Sequence, residues 1–357
     1  MVIKYTIKHK FVTLKEEFMK TIVLTGGGSG GHIIPNIALL PYLKKHFDRI
    51  YYVGEKGGME EKIAKKNNIP FFPIKAIKLD RTKLVKNFKI PFVLPKYIAE
   101  AVELLQNLNA DVVFSKGGYV SLPITYACKR LKIPYVIHEA DKSLGVANKL
   151  AQGKASKVIT SDESCNKNNK YITLGTPIRD EILCGNASKI GTKLNLDNSK
   201  PNILIVGGSL GAKAINDCVI SCLGSLTKKY NVIHLTGKGK LSDTKATGYY
   251  PLEYADNIGD YYAAASLVIA RSGAGVITEL QAVGVRSILI PLPQTASRGD
   301  QLENAKKSNF TVICQEDLTP DLLLDKISMT LSMPKPISNY DKETSQKIVD
   351  QILLSMK

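Results

Sequence analysis

The chain has 357 residues, 44% of them hydrophobic and 23% charged, with a formal net charge of +17. That composition excludes a disordered or collagen-like chain, and the length predicts two domains, each able to bury its own core. No run of about 18 apolar residues occurs, so no helix is predicted to span a membrane. The charge is uneven: residues 1–150 carry +13 and residues 151–357 carry +4. A strongly basic half points to an anionic partner: nucleic acid, a phosphate-rich substrate or an acidic membrane surface.

In chain order, residues 1–18 lack the continuous apolar core of a signal peptide, and Met19-Lys20 opens directly into the apolar run Thr21–Thr25. Residues 1–18 are therefore expected to be a peripheral extension, or Met19 the natural start. Strands are expected at Ile22–Thr25, Ile50–Val53, Asp111–Phe114, Pro134–His138, Lys157–Thr160 and Tyr171–Leu174. Helices are expected between them at Asn36–His46, Glu60–Asn67, Tyr97–Leu108 and Leu122–Leu131. Residues 185–200, rich in Gly, Asn and Ser, read as a linker. The strand pattern then restarts at Asn202–Val206, Val232–Leu235, Leu267–Ala270, Ser287–Ile290 and Thr311–Cys314, and Asp341–Ser355 forms a last helix. The fold class is α/β, with parallel sheets. The six cysteines form no C-x-x-C pair and read as small buried side chains in a reducing compartment.

Both halves open alike. Ile22–Thr25 runs into Gly26-Gly27-Gly28-Ser29-Gly30-Gly31, and Ile203–Val206 runs into Gly207-Gly208-Ser209-Leu210-Gly211. A buried strand, a Gly-rich turn and a helix bring backbone N–H groups close to a phosphate, and the recurrence argues for two Rossmann-like domains facing across a cleft. Gly26, Gly28 and Gly31 satisfy the dinucleotide fingerprint, a weak signal in a run so rich in Gly and Ser, and the acidic ribose ligand of a nicotinamide-dependent oxidoreductase is represented only by Glu55, beyond a glycine. No P-loop motif is present. His32 follows the first loop with a pKa suited to general base work. In the second half, Arg271-Ser272-Gly273-Ala274-Gly275-Val276-Ile277-Thr278-Glu279 follows a strand and starts a helix. Glu279 can accept two hydrogen bonds from a ribose diol.

Taken together, Thr25–His32, Gly117-Gly118-Tyr119-Val120-Ser121, His138-Glu139, Gly175-Thr176-Pro177-Ile178-Arg179, Gly207–Ala212, Arg271–Ala274 and Asp300-Gln301-x-x-Asn304-Ala305 resemble the MurG family. These are the membrane-associated N-acetylglucosaminyltransferases of peptidoglycan synthesis, and the resemblance runs in order from about Lys20 to the last helix. It implies a GT-B fold. Residues 19–180, joined by the helix 341–357, would form the acceptor and membrane domain, and residues 181–340 the donor domain. The resemblance implies UDP-N-acetylglucosamine as donor and an undecaprenyl-linked muramyl-pentapeptide as acceptor, with inverting transfer to its 4-hydroxyl. By match, Ser29, Gly30, Gly31 and His32 would line the reaction centre. Arg179 and Ser209 would meet the donor, the Ala255 backbone would contact uracil, and Ala274, Gly275, Val276, Ile277, Thr278 and Glu279 would cradle phosphate and ribose. Gln301 would meet sugar hydroxyls. His32 is the first choice of base, with Glu139 and Asp141 in reserve. The family commonly has His-Glu-Gln-Asn where this chain has His138-Glu139-Ala140-Asp141, so Asp141 replaces an asparagine of the sugar site.

No Asp-x-Asp motif offers a metal site on the diphosphate, and neither metal nor cofactor is expected. Between Ile74 and Lys96, Lys75, Lys78, Arg81, Lys83, Lys86, Lys89 and Lys96 alternate with apolar residues against the single acid Asp80. That pattern fits a peripheral contact with an anionic leaflet, on the cytoplasmic face of the cell membrane. No nucleic-acid-binding module is found, and the chain has no Trp. The alternatives are another UDP-sugar enzyme of the same fold, such as a 2-epimerase or a glycolipid glycosyltransferase, and the oxidoreductase already mentioned.

Overall fold

The computed structural model describes residues 19–78, 90–166, 168–208, 211–241, 243–293 and 299–357. The chain divides into two compact units, one ending at Pro177 but including Lys342–Lys357, the other Ile178–Asp341. The extension 1–18 lies outside the described residues.

The first unit holds seven parallel strands: β1 (Thr21–Thr25), β2 (Arg49–Glu55), β3 (Phe71–Ile74), β4 (Val112–Ser115), β5 (Tyr135–Glu139), β6 (Lys157–Thr160) and β7 (Tyr171–Thr173). They lie in the order β3-β2-β1-β4-β5-β6-β7. The second unit holds β8 (Asn202–Val206), β9 (Asn231–Leu235), β10 (Tyr249–Leu252), β11 (Leu267–Ala270), β12 (Arg286–Leu289) and β13 (Thr311–Val312), in the order β10-β9-β8-β11-β12-β13. Both sheets thus start in the middle, grow outward on one side, then restart on the other, as in a Rossmann fold. The expected α/β class and the paired Rossmann-like architecture are both present.

The central strands are continuous apolar runs because helices cover both faces of each sheet. Ile22 and Leu24 pack on one face with Phe114, Val136 and Ile159, and Val23 on the other with Leu105, Ile124 and Ala127. The last helix, Thr344–Leu354, closes the first of these cores: Ile348, Val349 and Ile352 are fully buried there.

Several elements differ from the sequence-based expectation. The helix expected at Asn36–His46 is two short ones, Ile34–Ala38 and Leu40–Leu43. Pro41 has no N–H to give and its ring crowds the Ile37 carbonyl, so the first helix cannot run on. Residues 185–200 are not a linker: Ala187–Leu194 is a helix of the second unit, capped by the Asn186 side chain on Ser188 N–H and seated through buried Ile190. Of the cysteines, four are buried, Cys314 is half-buried and Cys184 is exposed.

Candidate active site

In an open parallel sheet, ligands bind beyond the carboxyl ends of the strands where the strand order reverses. Here those points lie between β1 and β4 in one unit and between β8 and β11 in the other. Each is flanked by loops that the sequence marks as Gly-rich.

At the first point the loops after β1, β4 and β5 pack on one another. A Cβ on Gly118, whose φ is +81°, would come within 2.5 Å of the Gly27 carbonyl oxygen. A Cβ on Gly26 would meet the Cβ of Lys116 at 2.9 Å, and one on Gly117 would meet the Asn148 amide at 2.8 Å. Glycine is required because two backbones pass in contact. Gly30 and Gly31 are different: nothing crowds their Cα positions, and they lead into a single 3-10 turn, Gly30–His32. That turn half-buries His32 and sets its Nδ1 3.0 Å from the Ser29 hydroxyl oxygen. Ser29, Gly30, Gly31 and His32 are thus one contiguous group.

Glu139 closes β5 and is buried, but its carboxylate is already occupied. Oε1 accepts from the N–H groups of Ala140 and Asp141, and Oε2 from Gly145 N–H and Asn148 Nδ2, at 2.8–3.2 Å. A carboxylate has about four acceptor positions, so Glu139 holds the turn that carries Asp141 and has no position left for a substrate proton. Glu55 is also committed: it ends β2 and accepts a short hydrogen bond from the Tyr119 hydroxyl. The ribose ligand that an oxidoreductase needs is therefore engaged elsewhere.

At the second point, Gly273 caps the helix Ala274–Val283, and no atom lies near a Cβ built on Gly273 or Gly275. The helix N-terminus, with its orphan N–H groups and positive dipole end, stands where a phosphate can approach. Two turns in, Glu279 Oε2 accepts from the Tyr262 hydroxyl at 3.1 Å. Burial pushes the Glu279 carboxyl up to about 7, although the nearby Arg179 guanidinium opposes the shift. Arg179 itself pairs with Glu181 at 2.5 Å, and its buried Nε has no hydrogen-bond partner among the described residues. Arg179, Tyr262 and Glu279 form one cluster. Sequence reasoning missed Tyr262, for which nothing beyond a Tyr-Tyr pair in an apolar stretch is visible.

Ala255 buries its methyl group, so any ligand contact must come from its backbone. Gln301 turns its Oε1 to Leu292 N–H at 3.1 Å, which aims the amide and leaves its Nε2 to donate. Arg271 does not reach for a phosphate. It donates to the carbonyls of Ile290 and Pro291 and to Gln315, holding that loop closed. Ser209 lies outside the described residues.

Residues 22–160 match the glycosyltransferase family 28 N-terminal domain, and residues 202–352 its C-terminal domain. A UDP-N-acetylglucosamine–N-acetylmuramyl-(pentapeptide) pyrophosphoryl-undecaprenol N-acetylglucosamine transferase of Lachnospira eligens is 40% identical, over 95% of this chain and 99% of its own. The protein of the same name from Clostridium kluyveri is 43% identical over 87% and 90%. The crystal structure of Acinetobacter baumannii MurG superposes with a TM-score of 0.72 at 25% identity, covering 94% of this chain and 99% of that one. With both domain models matched in order and relatives at this identity along nearly its whole length, the chain belongs to the MurG family of glycosyltransferases.

Proposed function

We infer that the chain transfers N-acetylglucosamine from UDP-N-acetylglucosamine to the lipid-linked muramyl-pentapeptide, the step that completes the disaccharide of the peptidoglycan precursor. The observation that carries this reading is the match to transferases of that activity, which spans both units at 40–43% identity.

The donor belongs to the second unit. The N-terminus of Ala274–Val283 and the helix that follows Gly211 supply N–H groups to the diphosphate, and Glu279 takes the ribose diol. Arg179, beside Glu279, adds a positive charge, and Gln301 offers its amide to sugar hydroxyls. Ser209 would meet the diphosphate and the Ala255 backbone the uracil.

The acceptor belongs to the first unit, where Ser29, Gly30, Gly31 and His32 line the reaction centre. Transfer is a single displacement with inversion. The acceptor 4-hydroxyl oxygen bonds to the anomeric carbon as the bond from that carbon to the phosphate oxygen breaks. The hydroxyl proton passes to His32, and the electron pair leaves with UDP. Ser29, at Nδ1, orients the ring so that Nε2 takes the proton. The developing charge on UDP meets fixed backbone dipoles, usually the largest single contribution to such catalysis. Asp141, on the turn that Glu139 organises, accepts from an acceptor hydroxyl. His32→Ala should lower kcat by about 10²-fold or more, the scale of a lost general base. Turnover within a few-fold of the parent would reject His32 as the base.

The enzyme works at a membrane surface, on its cytoplasmic face. Among the described residues no helix is long and apolar enough to cross a bilayer. Support for a peripheral contact comes from the start of the helix Ile90–Asn107, where Phe92 is 83% exposed and flanked by exposed Pro91, Pro95 and Lys96. Arg81, Lys83, Lys86 and Lys89 of the basic stretch lie outside the described residues.

A further inference from the structure

Glu60 is the second residue of the helix Met59–Lys66, and the reaction described above does not use it. It is 1% exposed, whereas the neighbouring Glu61 stays at the surface, accepting from Gly57 N–H and pairing with Lys65, both at 2.7 Å. Turned inward, Glu60 has one hydrogen bond among the described residues, from Glu55 N–H to its Oε1 at 3.0 Å. Burying a carboxyl group with so few donors is costly, and the start of a helix does not require it. Three glycines leave the space it fills. A Cβ on Gly27 would lie 2.3 Å from Glu60 Oε1, one on Gly54 2.5 Å from its Cγ, and one on Gly58 2.8 Å from its Cδ.

Gly27 belongs to the loop after β1, and its φ lies outside the left-handed region, so the backbone there would accept a side chain. Glu60 is what bars one. Both neighbours of Gly27 are seated too: a Cβ on Gly26 would meet the His32 carbonyl oxygen at 2.5 Å, and one on Gly28 the Tyr119 ring at 2.8 Å. Tyr119 donates to the Glu55 carboxylate, and the Glu55 N–H is the one that Glu60 accepts. Residues 26–28 are thus fixed by close contacts, while Gly30 and Gly31 have no neighbour nearer than 3.9 Å to their Cβ positions. We propose that Glu60 is a positioning residue for the transfer. Its carboxyl group, wedged against Gly27, sets the path of the glycine loop, and through the His32 carbonyl seated on Gly26 it sets where the His32 ring stands. The inference rests on the reading of His32 as the base.

The test compares full-length parent, Glu60→Gln, Glu60→Ala, Gly27→Ala and the Glu60→Ala/Gly27→Ala double variant. Each is measured for kcat, for KM toward both substrates and for the His32 ring resonance, assigned by its loss in His32→Ala. Glu60→Gln keeps the shape and an acceptor for Glu55 N–H, so its kcat should stay within a few-fold of the parent. Glu60→Ala removes the support and should lower kcat about tenfold or more, the scale of a small misplacement of a catalytic group. Its KM for UDP-N-acetylglucosamine should not change, because the donor is assigned to the other unit. Gly27→Ala drives a methyl group into Oε1 and should lower kcat likewise. In the double variant that methyl enters the space Glu60 vacates, so the two losses should not multiply. The His32 resonance should move in Glu60→Ala and Gly27→Ala and hold its place in Glu60→Gln. Parent-like kcat in either alanine variant, losses that multiply, or a His32 resonance indifferent to Glu60→Ala would each overturn the proposal. If Glu60→Ala does not fold, Gly27→Ala tests the same contact from the loop side. A parent that transfers no N-acetylglucosamine would defeat the functional reading, and the resonance would still decide whether Glu60 places His32.

Discussion

Glu279, proposed to take the ribose diol, would by itself set the pH range of donor binding. Its carboxyl is held at about 7 by burial, with Arg179 and the Tyr262 hydroxyl pulling the other way. Only the ionised carboxylate can accept two hydrogen bonds from a ribose diol; once protonated, it must donate one of them. The sign follows: affinity for UDP-N-acetylglucosamine should be greatest well above pH 7 and should fall as pH drops through that value. Calorimetric titration of the donor between pH 5.5 and 8.5 should show this, a donor chosen because its own diphosphate does not ionise there. Glu279→Gln should weaken binding roughly tenfold at pH 8, the scale of one hydrogen bond to a charged group. It should also flatten the pH dependence, and a parent affinity constant across the range would contradict the assignment. Nothing in the sequence announces this tuning. Glu279 itself is legible from its place after a Gly-rich helix start, but its partners Tyr262 and Arg179 come from distant parts of the chain. The burial of Lys116, 1% exposed beside His138, is less visible still, because in a half with a net charge of +13 one more lysine reads as solvated surface.

At the scale of elements, sequence pattern recovers the central strands and loses the edges for an identifiable reason. β3 and β10 were the strands without a sequence signal, and each contains a proline, Pro73 and Pro251. Each is also the outermost strand of its sheet, where a missing N–H costs no ladder bond. The helix Ala187–Leu194 hides for a different reason. Its Ser, Thr, Gly and Lys resemble a linker, and only Ile190 and the Asn186 cap betray it. The helix Ile90–Asn107 begins seven residues before the expected Tyr97. Pro91 falls in its first turn, where proline is tolerated, but Pro95 lies inside it and has no N–H for the Pro91 carbonyl, which masks the start from the sequence pattern. That early start displays Phe92 beside Lys96 and supplies the element-scale prediction. Liposome sedimentation at low salt should rise with anionic lipid content, and Phe92→Ser should reduce it. Binding indifferent to lipid charge would contradict the membrane assignment.

The whole molecule repeats one plan twice, a Rossmann-like sheet with a Gly-rich loop at the point where the strand order reverses. The excess positive charge sits in the unit proposed to meet a pyrophosphate-linked lipid, and the nearly balanced unit is the one proposed to take the soluble nucleotide sugar. Charge alone would have suited nucleic acid equally; the loops and their neighbours decide between the two. Family membership and fold were within reach of the sequence because its motifs fall in order along the chain. The division of labour among Glu139, Glu55 and Arg271 was not, since it depends on which side chains the folded loops bring together. The central claim is the transfer itself. Purified full-length protein, given UDP-N-acetylglucosamine and the undecaprenyl-linked muramyl-pentapeptide, should form the lipid-linked disaccharide and release UDP in equal amount. UDP-glucose and UDP-galactose in parallel should yield little or none. Conversion of the donor to its 2-epimer without acceptor glycosylation, or equal use of all three sugars, would contradict the account.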